Sequence, residues 1–361
     1  MSLAAEIERA LHYPLADQLP PPGGAIQIAP GVKWLRMVLP FALDHINLWL
    51  LRDRLDGRDG WTVVDTCIDR PESRALWEQV FAHELDGLPI LRVVVTHMHP
   101  DHIGLAHWLC ERWSTPQHEC RLWISATDYQ TARYACEVVN SFGGERLAEY
   151  FRSHGMTSAD DLAQIRNRKS YYRGLVPAVP LSFARLMDGQ TLTIGGQAWR
   201  CIDGYGHAPE HMALYCEAAG ILISGDMVLP RISTNVSVYE MEPEADALTL
   251  FLDSIDRFAP LPPDTLVLPS HGKPFKGLHT RIQQLQDHHR DRLAEVMAAA
   301  QGRAVSAYDM LPVLFKRPLD LHQITFALGE SVAHLHRLWY GGQLVRRRDP
   351  QGVWRFTPCA D

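Results

Sequence analysis

The chain has 361 residues, of which 46% are hydrophobic, and a formal net charge of −7. That size suits one large globular domain with a smaller companion, and the negative balance argues against a general electrostatic attraction to nucleic acid. The opening "MSLAAEIERALHYPLADQLPPPGG" lacks the basic-then-apolar order of a signal peptide, no apolar run reaches membrane-span length, and the seven scattered cysteines are odd in number without a CxxC pair. A cytoplasmic protein with reduced thiols and no membrane contact is expected.

In chain order, alternation around Trp34–Leu39 and the apolar runs Ile46–Asp53 and Trp61–Asp69 predict strands. Glu72–Leu85 has apolar residues at three- and four-residue spacing and predicts a helix. Ile90–Val95 reads as a buried strand, Gly104–Trp113 as a helix and Cys120–Ala126 as a further strand. From Thr127 to about Leu181 the texture turns mostly helical, with "TSADD" as a helix start, which predicts an inserted helical cap. Strands resume at Gln190–Gly196, Gln197–Gly206, His211–Ala218 and Gly220–Asp226, and Gly195-Gly196 marks a hairpin. Asp264–Phe275 holds a last short strand of this part. After Leu278, helices, a Gly-Gly turn and two short strands follow in the order of a winged-helix module. The expected domains are therefore 1–278, with the cap at about 127–181, and 279–361. The alternation of strands and helices points to an α/β protein or a related sandwich.

One turn carries the chemistry. His97, His99, Asp101 and His102 form H-x-H-x-D-H directly after the buried strand. Neutral imidazoles and a carboxylate suit zinc and other borderline divalent cations. Strand alternation puts His97 and His99 on one side, while Asp101 and His102 lie beyond the bend, so that one turn can serve two metals. Three more ligand types sit in the same kind of place, each after an apolar run: His207 in "GYGHAPEH", Asp226 in "ILISGD" and His271 in "LVLPSHG".

This set of motifs, between roughly Ala25 and Gly277, resembles the metallo-β-lactamase-fold hydrolase superfamily. The resemblance implies a four-layer αββα sandwich with a two-metal site at one edge of its sheets. It assigns His97, His99 and His207 to the first metal, Asp101, His102 and His271 to the second, and Asp226 to a bridge between them. Asp65 in "VVDT" matches the aspartate behind such sites. His211 reads either as a group orienting a ligand or as a surface histidine. The implied chemistry is attack by a metal-bridging hydroxide on an ester-type carbonyl or a phosphorus, with Asp101 holding the hydroxide and taking its proton. Zinc is the default metal, and iron or manganese fit the same ligands.

The complete histidine–aspartate set disfavours the β-lactamase, single-iron dioxygenase and flavodiiron branches. A small-molecule thioester or lactone is expected as substrate, which makes the enzyme a thioesterase or lactonase. A metal-dependent nuclease or phosphodiesterase is the alternative, as is a nucleic-acid-binding regulatory protein. Two stretches feed the substrate reading: "RNRKSYYRG", with Arg166, Arg168, Lys169, Tyr171, Tyr172 and Arg173, as a grip for a CoA-linked group, and "VLPRISTNVSVYE", with Arg231, Ser233 and Asn235. Arg346–Arg348 is a mild nucleic-acid signal set against solvated surface.

Overall fold

The computed structural model describes residues 8–138, 143–168 and 171–359. Strands β1 (Ala25–Ala29), β2 (Val32–Val38), β3 (His45–Leu55), β4 (Arg58–Val64), β5 (Ile90–Val94), β6 (Arg121–Ser125) and β7 (Phe183–Leu186) form one sheet in sequence order. It is antiparallel from β1 to β4 and parallel from β4 to β7. A second sheet has the order β12 (Leu266–Pro269), β11 (Ile221–Gly225), β10 (His211–Cys216), β9 (Gln197–Gly204), β8 (Thr191–Ile194). The β8–β9 hairpin turns at Gly195 and Gly196, whose φ of 60° and 76° give the left-handed pair that a two-residue turn requires.

Alternation of side chains sorts the apolar residues into layers. Trp49, Leu51, Val64 and Val94 of the first sheet meet Trp199, Cys201, Leu214 and Ile223 of the second between the sheets. The intervening residues face outward. Leu48, Leu50, Val63 and Val93 pack under the helices α1 (Pro71–His83), α2 (Pro100–Ile103), α3 (Ala106–Trp113) and α4 (Ala126–Glu137). On the other outer face, Ile202, Ala213 and Leu222 pack under helices that follow the second sheet. Each large apolar side chain buried in these layers contributes about 1.5–3 kcal/mol. The arrangement is the expected αββα sandwich.

The segment between β6 and β7 is divided between the two outer layers. Its first helix, α4, and its last, α7 (Tyr171–Leu175), pack on the first sheet through Tyr129, Ala132, Tyr172 and Leu175. The middle two, α5 (Gly144–Ser153) and α6 (Ala159–Asn167), join the opposite core through Leu147, Phe151, Leu162 and Ile165. There they meet α8 (Ala247–Asp256), α9 (Leu278–Ala300), the short α10 (Leu311–Leu314) and α11 (Leu321–Tyr340), which precede the β13 (Leu344–Arg348)–β14 (Trp354–Pro358) hairpin. One continuous core thus runs across position 278. Among the described residues, no helix is long and apolar enough to cross a membrane.

One expectation is adjusted by the backbone. The strand expected over Trp61–Asp69 ends at Val64, because Asp65 and Cys67 take φ of 62° and 75°, a left-handed conformation that costs non-glycine residues about 1–3 kcal/mol. That break turns Asp65 beneath the crowded histidine turn. Strands β1 and β7 have no clear periodic signal and arise from tertiary pairing, whereas helix α8 carries Leu248, Phe251, Leu252 and Ile255 at helical spacing.

Candidate metal centre

The loop after β5 leads through His97 and His99 into α2, whose first turn carries Asp101 and His102. Asp128 fixes this loop by accepting from Met98 N at 2.7 Å, while its other oxygen accepts from Glu210 N at 2.6 Å near the His207 loop. His207 follows β9, Asp226 follows β11 and His271 follows β12. The His271 loop is tied to β3 by Asn47, whose Nδ2 donates to Pro269 O and Gly272 O, both at 2.8 Å. All seven ligand candidates therefore converge at one end of the two sheets.

They form two sets. In the first, His97 Nε2 lies 2.8 Å from His99 Nδ1 and 3.2 Å from His207 Nε2, and His99 Nδ1 lies 3.1 Å from His207 Nε2. Asp226 Oδ2 joins them at 3.2 Å from His207 Nε2. In the second, His271 Nε2 lies 3.4 Å from Asp101 Oδ2, and His102 Nε2 lies 3.7 Å from the same oxygen. Asp226 Oδ1 completes it at 3.6 Å from His102 Nε2 and 3.5 Å from His271 Nε2. The two oxygens of Asp226 are thus divided between the sets.

These separations suit a cation. Donors held tetrahedrally at 2.0–2.1 Å from a metal stand about 3.3–3.4 Å apart. The tautomers suit it as well. His207 Nδ1–H donates to Asn235 O and His271 Nδ1–H to His45 O, each at 2.7 Å, which turns the Nε2 atom of each ring into the site. His102 Nδ1–H donates to Asp65 Oδ2 at 2.8 Å. Thr96 links His97 Nδ1, at 3.1 Å, to the same Asp65 carboxylate. Converging lone pairs repel unless a cation or proton lies between them. Consistent with this, His102 Nε2 and Asp226 Oδ1 are buried without a hydrogen-bond partner.

Charge separates the two sets. Burial, reinforced by the neighbouring imidazoles, holds His97 well below its ordinary value and brings His99 down to about 3. In the second set burial also lowers the imidazoles, but it is outweighed. Asp65, Asp101 and Asp226 hold His102 well above its ordinary value, and Asp226 and Asp101 push His271 up to about 10. Burial raises the Asp101 carboxyl, but His102 and His271 overcome it and bring the group down to about 2.

Beside His99 and His207 opens a cleft of about 460 Å³, walled by Tyr205, Val238, Tyr239, Met241 and Leu250. A narrower chamber of about 70 Å³ lies on the other side of His99, between Tyr171, Tyr172, Tyr239, His322 and Phe326.

Residues 42–271 match the metallo-beta-lactamase superfamily, and residues 293–359 match the metallo-beta-lactamase-like C-terminal domain. The chain belongs to the metallo-β-lactamase superfamily. It is 52% identical to a beta-lactamase domain protein from Burkholderia ambifaria, with a TM-score of 0.92 over 98% of this chain and 100% of that one. A metallo-beta-lactamase family protein from Thermus thermophilus is 26% identical, with a TM-score of 0.71 over 92% and 100% of the two chains. A probable metallo-hydrolase, YqjP, of Bacillus subtilis (strain 168) is 24% identical over 307 residues, 83% of this chain and 90% of that protein. This superfamily member is a metal-dependent hydrolase, and the resemblance read from its motifs is borne out.

The other residues singled out in the sequence are placed as follows. His211 is fully buried rather than on the surface, and its Nε2 accepts from Asp226 N at 3.3 Å. Tyr171 and Tyr172 line the narrow chamber, and the Tyr172 hydroxyl donates to Met98 O at 2.5 Å. Arg168 lines the same chamber. Arg173 and Arg231 are exposed and line neither cavity, and Arg166 is paired with Glu145 at 2.8 Å. Lys169 lies outside the described residues. Asn235 lines neither cavity, and its amide pairs with Glu330 and Ser237. Of the arginines read as a nucleic-acid signal, Arg346 stacks between Trp339 and Trp354 at 3.7 and 4.2 Å and pairs with Glu244, and Arg348 stacks on Trp354 at 4.5 Å. Sequence reading missed Asp128, Thr96 and Glu330. Thr96 sits immediately before the motif, whereas Asp128 and Glu330 give no local signal.

Proposed function

We propose that this chain is a dinuclear hydrolase of ester-type bonds, a thioesterase or lactonase acting on a small carboxylic acid derivative. The observation that carries the reading is the division of the two Asp226 oxygens between two donor sets of matching separation. His97, His99 and His207 would hold one cation and Asp101, His102 and His271 the other, with Asp226 shared. Zinc suits a donor set made only of imidazole nitrogens and carboxylate oxygens, and iron or manganese fit the same set. Two bound divalent cations supply a water of lowered pKa and Lewis acidity toward a carbonyl oxygen.

The chain's own groups do the rest. Asp101, ionised and at the partly open side of the site, takes the proton of the attacking water. Asp65 keeps the His102 proton on Nδ1, and His211 steadies the Asp226 backbone. The apolar cleft beside His99 and His207 accommodates the acyl part and excludes water from it. The aromatic chamber with Arg168 is the place for a further substrate group, CoA-linked or otherwise anionic. A small-molecule substrate is preferred over nucleic acid, because two of the three arginines near the C-terminus are committed to tryptophan stacking. The winged-helix-like region 279–361 then serves packing and lines one side of the chamber.

The test is hydrolysis of acyl thioesters, lactones and bis-phosphodiesters by protein loaded with Zn²⁺, with chelated protein as control. Thioester or lactone turnover that vanishes on chelation is expected. Turnover of the phosphodiesters alone would overturn the substrate class, and a single bound iron with oxygen consumption would overturn the hydrolytic mechanism.

A further inference from the structure

His207 presents its lone pair to the first donor set only in the tautomer with the proton on Nδ1. That Nδ1–H donates to the Asn235 backbone carbonyl at 2.7 Å. The placing of this carbonyl is therefore part of the metal centre, and Asn235 is itself fixed through its side chain. Its Nδ2 donates to Glu330 Oε2 at 3.1 Å, and its Oδ1 accepts from the Ser237 hydroxyl at 2.8 Å.

Glu330 stands midway along α11, 95 residues beyond Asn235 in the chain. The same helix grips the loop at further points. Val238 N donates to Gly329 O at 3.1 Å, and Ser237 Oγ lies 3.2 Å from Phe326 O. A Cβ on Gly329 would stand 2.8 Å from the Ser237 Cβ, so glycine is what lets helix and loop approach this closely. Glu330 is partly buried, and a carboxyl drawn from water gains by satisfying a donor. Here the donor it satisfies is the amide that anchors a candidate ligand's acceptor.

We propose that Glu330 is a positioning residue for the first metal set: it holds Asn235, whose carbonyl sets the tautomer and direction of His207, so that the C-terminal helix completes the metal centre. This rests on the reading of His97, His99, His207 and Asp226 as a cation site. Partners behind metal-binding imidazoles fix ring orientation and basicity, and losing one typically costs about 10–100-fold in metal affinity.

The test compares Glu330→Gln, which keeps an acceptor oxygen, with Glu330→Met, which keeps the volume and removes it. Both are made in the full chain and titrated with Co²⁺ against a chelator. The Met variant is expected to bind the first equivalent about 10–100-fold more weakly, to shift the Co²⁺ absorption spectrum and to lose kcat more than KM. The Gln variant is expected to stay within about threefold of wild type on each readout. Should the Met variant not fold, Asn235→Ala takes its place, because it leaves the carbonyl that faces His207 and cuts its link to Glu330. Indistinguishable affinity and spectra in wild type and the Met variant would overturn the proposal. Equal damage in the Gln and Met variants would overturn it too, since the acceptor oxygen would then not be what matters. Failure of the underlying site reading shows itself separately, as a wild-type chain that binds no tight equivalent.

Discussion

The two donor sets share Asp226 but differ in how they are charged. The first is built from three imidazoles, two of which burial and their neighbours keep neutral far below ordinary histidine values. The second places two imidazoles against Asp101, Asp226 and, for His102, Asp65, so without a cation those rings favour their protonated form. The first set therefore offers free lone pairs to a cation, while the second offers negative charge behind protons that a cation must displace. Similar geometry yields two candidate sites with different demands: burial and neighbouring imidazoles dominate in the first, the carboxylates in the second.

The largest expected effect comes from removing what the sets share. Asp226→Ala takes one donor from each, and several kcal/mol of metal-assisted stabilisation corresponds to a loss of about 1,000-fold in kcat/KM. Elemental analysis of the purified variant should show both equivalents depleted, and full retention of either would contradict a shared carboxylate. Next in size is the contrast between single sets. His207→Ala should empty the first set, and His271→Ala should leave about one equivalent, in the first. If both variants lose the same equivalent, the division into two sets fails.

The smallest effect is the response to pH, and its sign follows from proton competition. His102 and His271 lie above their ordinary value, the latter at about 10, so each bound proton opposes the second cation at neutral pH. Affinity of the second set should therefore climb as pH rises toward that value. The first set, with His99 at about 3, should change little over the same range. Stepwise Zn²⁺ titrations between pH 6 and pH 9 would decide this, and parallel curves for both equivalents would dissolve the contrast.

The candidate ligands were legible because local rules placed them. His97, His99, Asp101 and His102 follow an apolar strand within six residues, and His207, Asp226 and His271 each end an apolar run. The Gly195-Gly196 hairpin was equally local. The groups that aim those ligands were harder to see. Asp65 was found only through its family motif, and nothing in "VVDT" announces the left-handed backbone that turns it under His102. Asn235 drew notice as a polar loop residue, but its amide is spent on a helix 95 residues away. Arg346 looked like free charge and is enclosed by two tryptophans and Glu244.

By itself the sequence determined the candidate donors and the strand periodicity that brings them to one end of two sheets, because these depend on alternation and spacing within short stretches of chain, while the αββα layering followed from the family resemblance those motifs carry. Only the tertiary structure decided which donor atoms face which, how the carboxylates divide the charge between the two sets, and that the C-terminal helix stands behind His207. Those outcomes depend on contacts between residues far apart in sequence, where burial and a few hydrogen bonds at about 3 Å, rather than local preference, fix what each side chain can do.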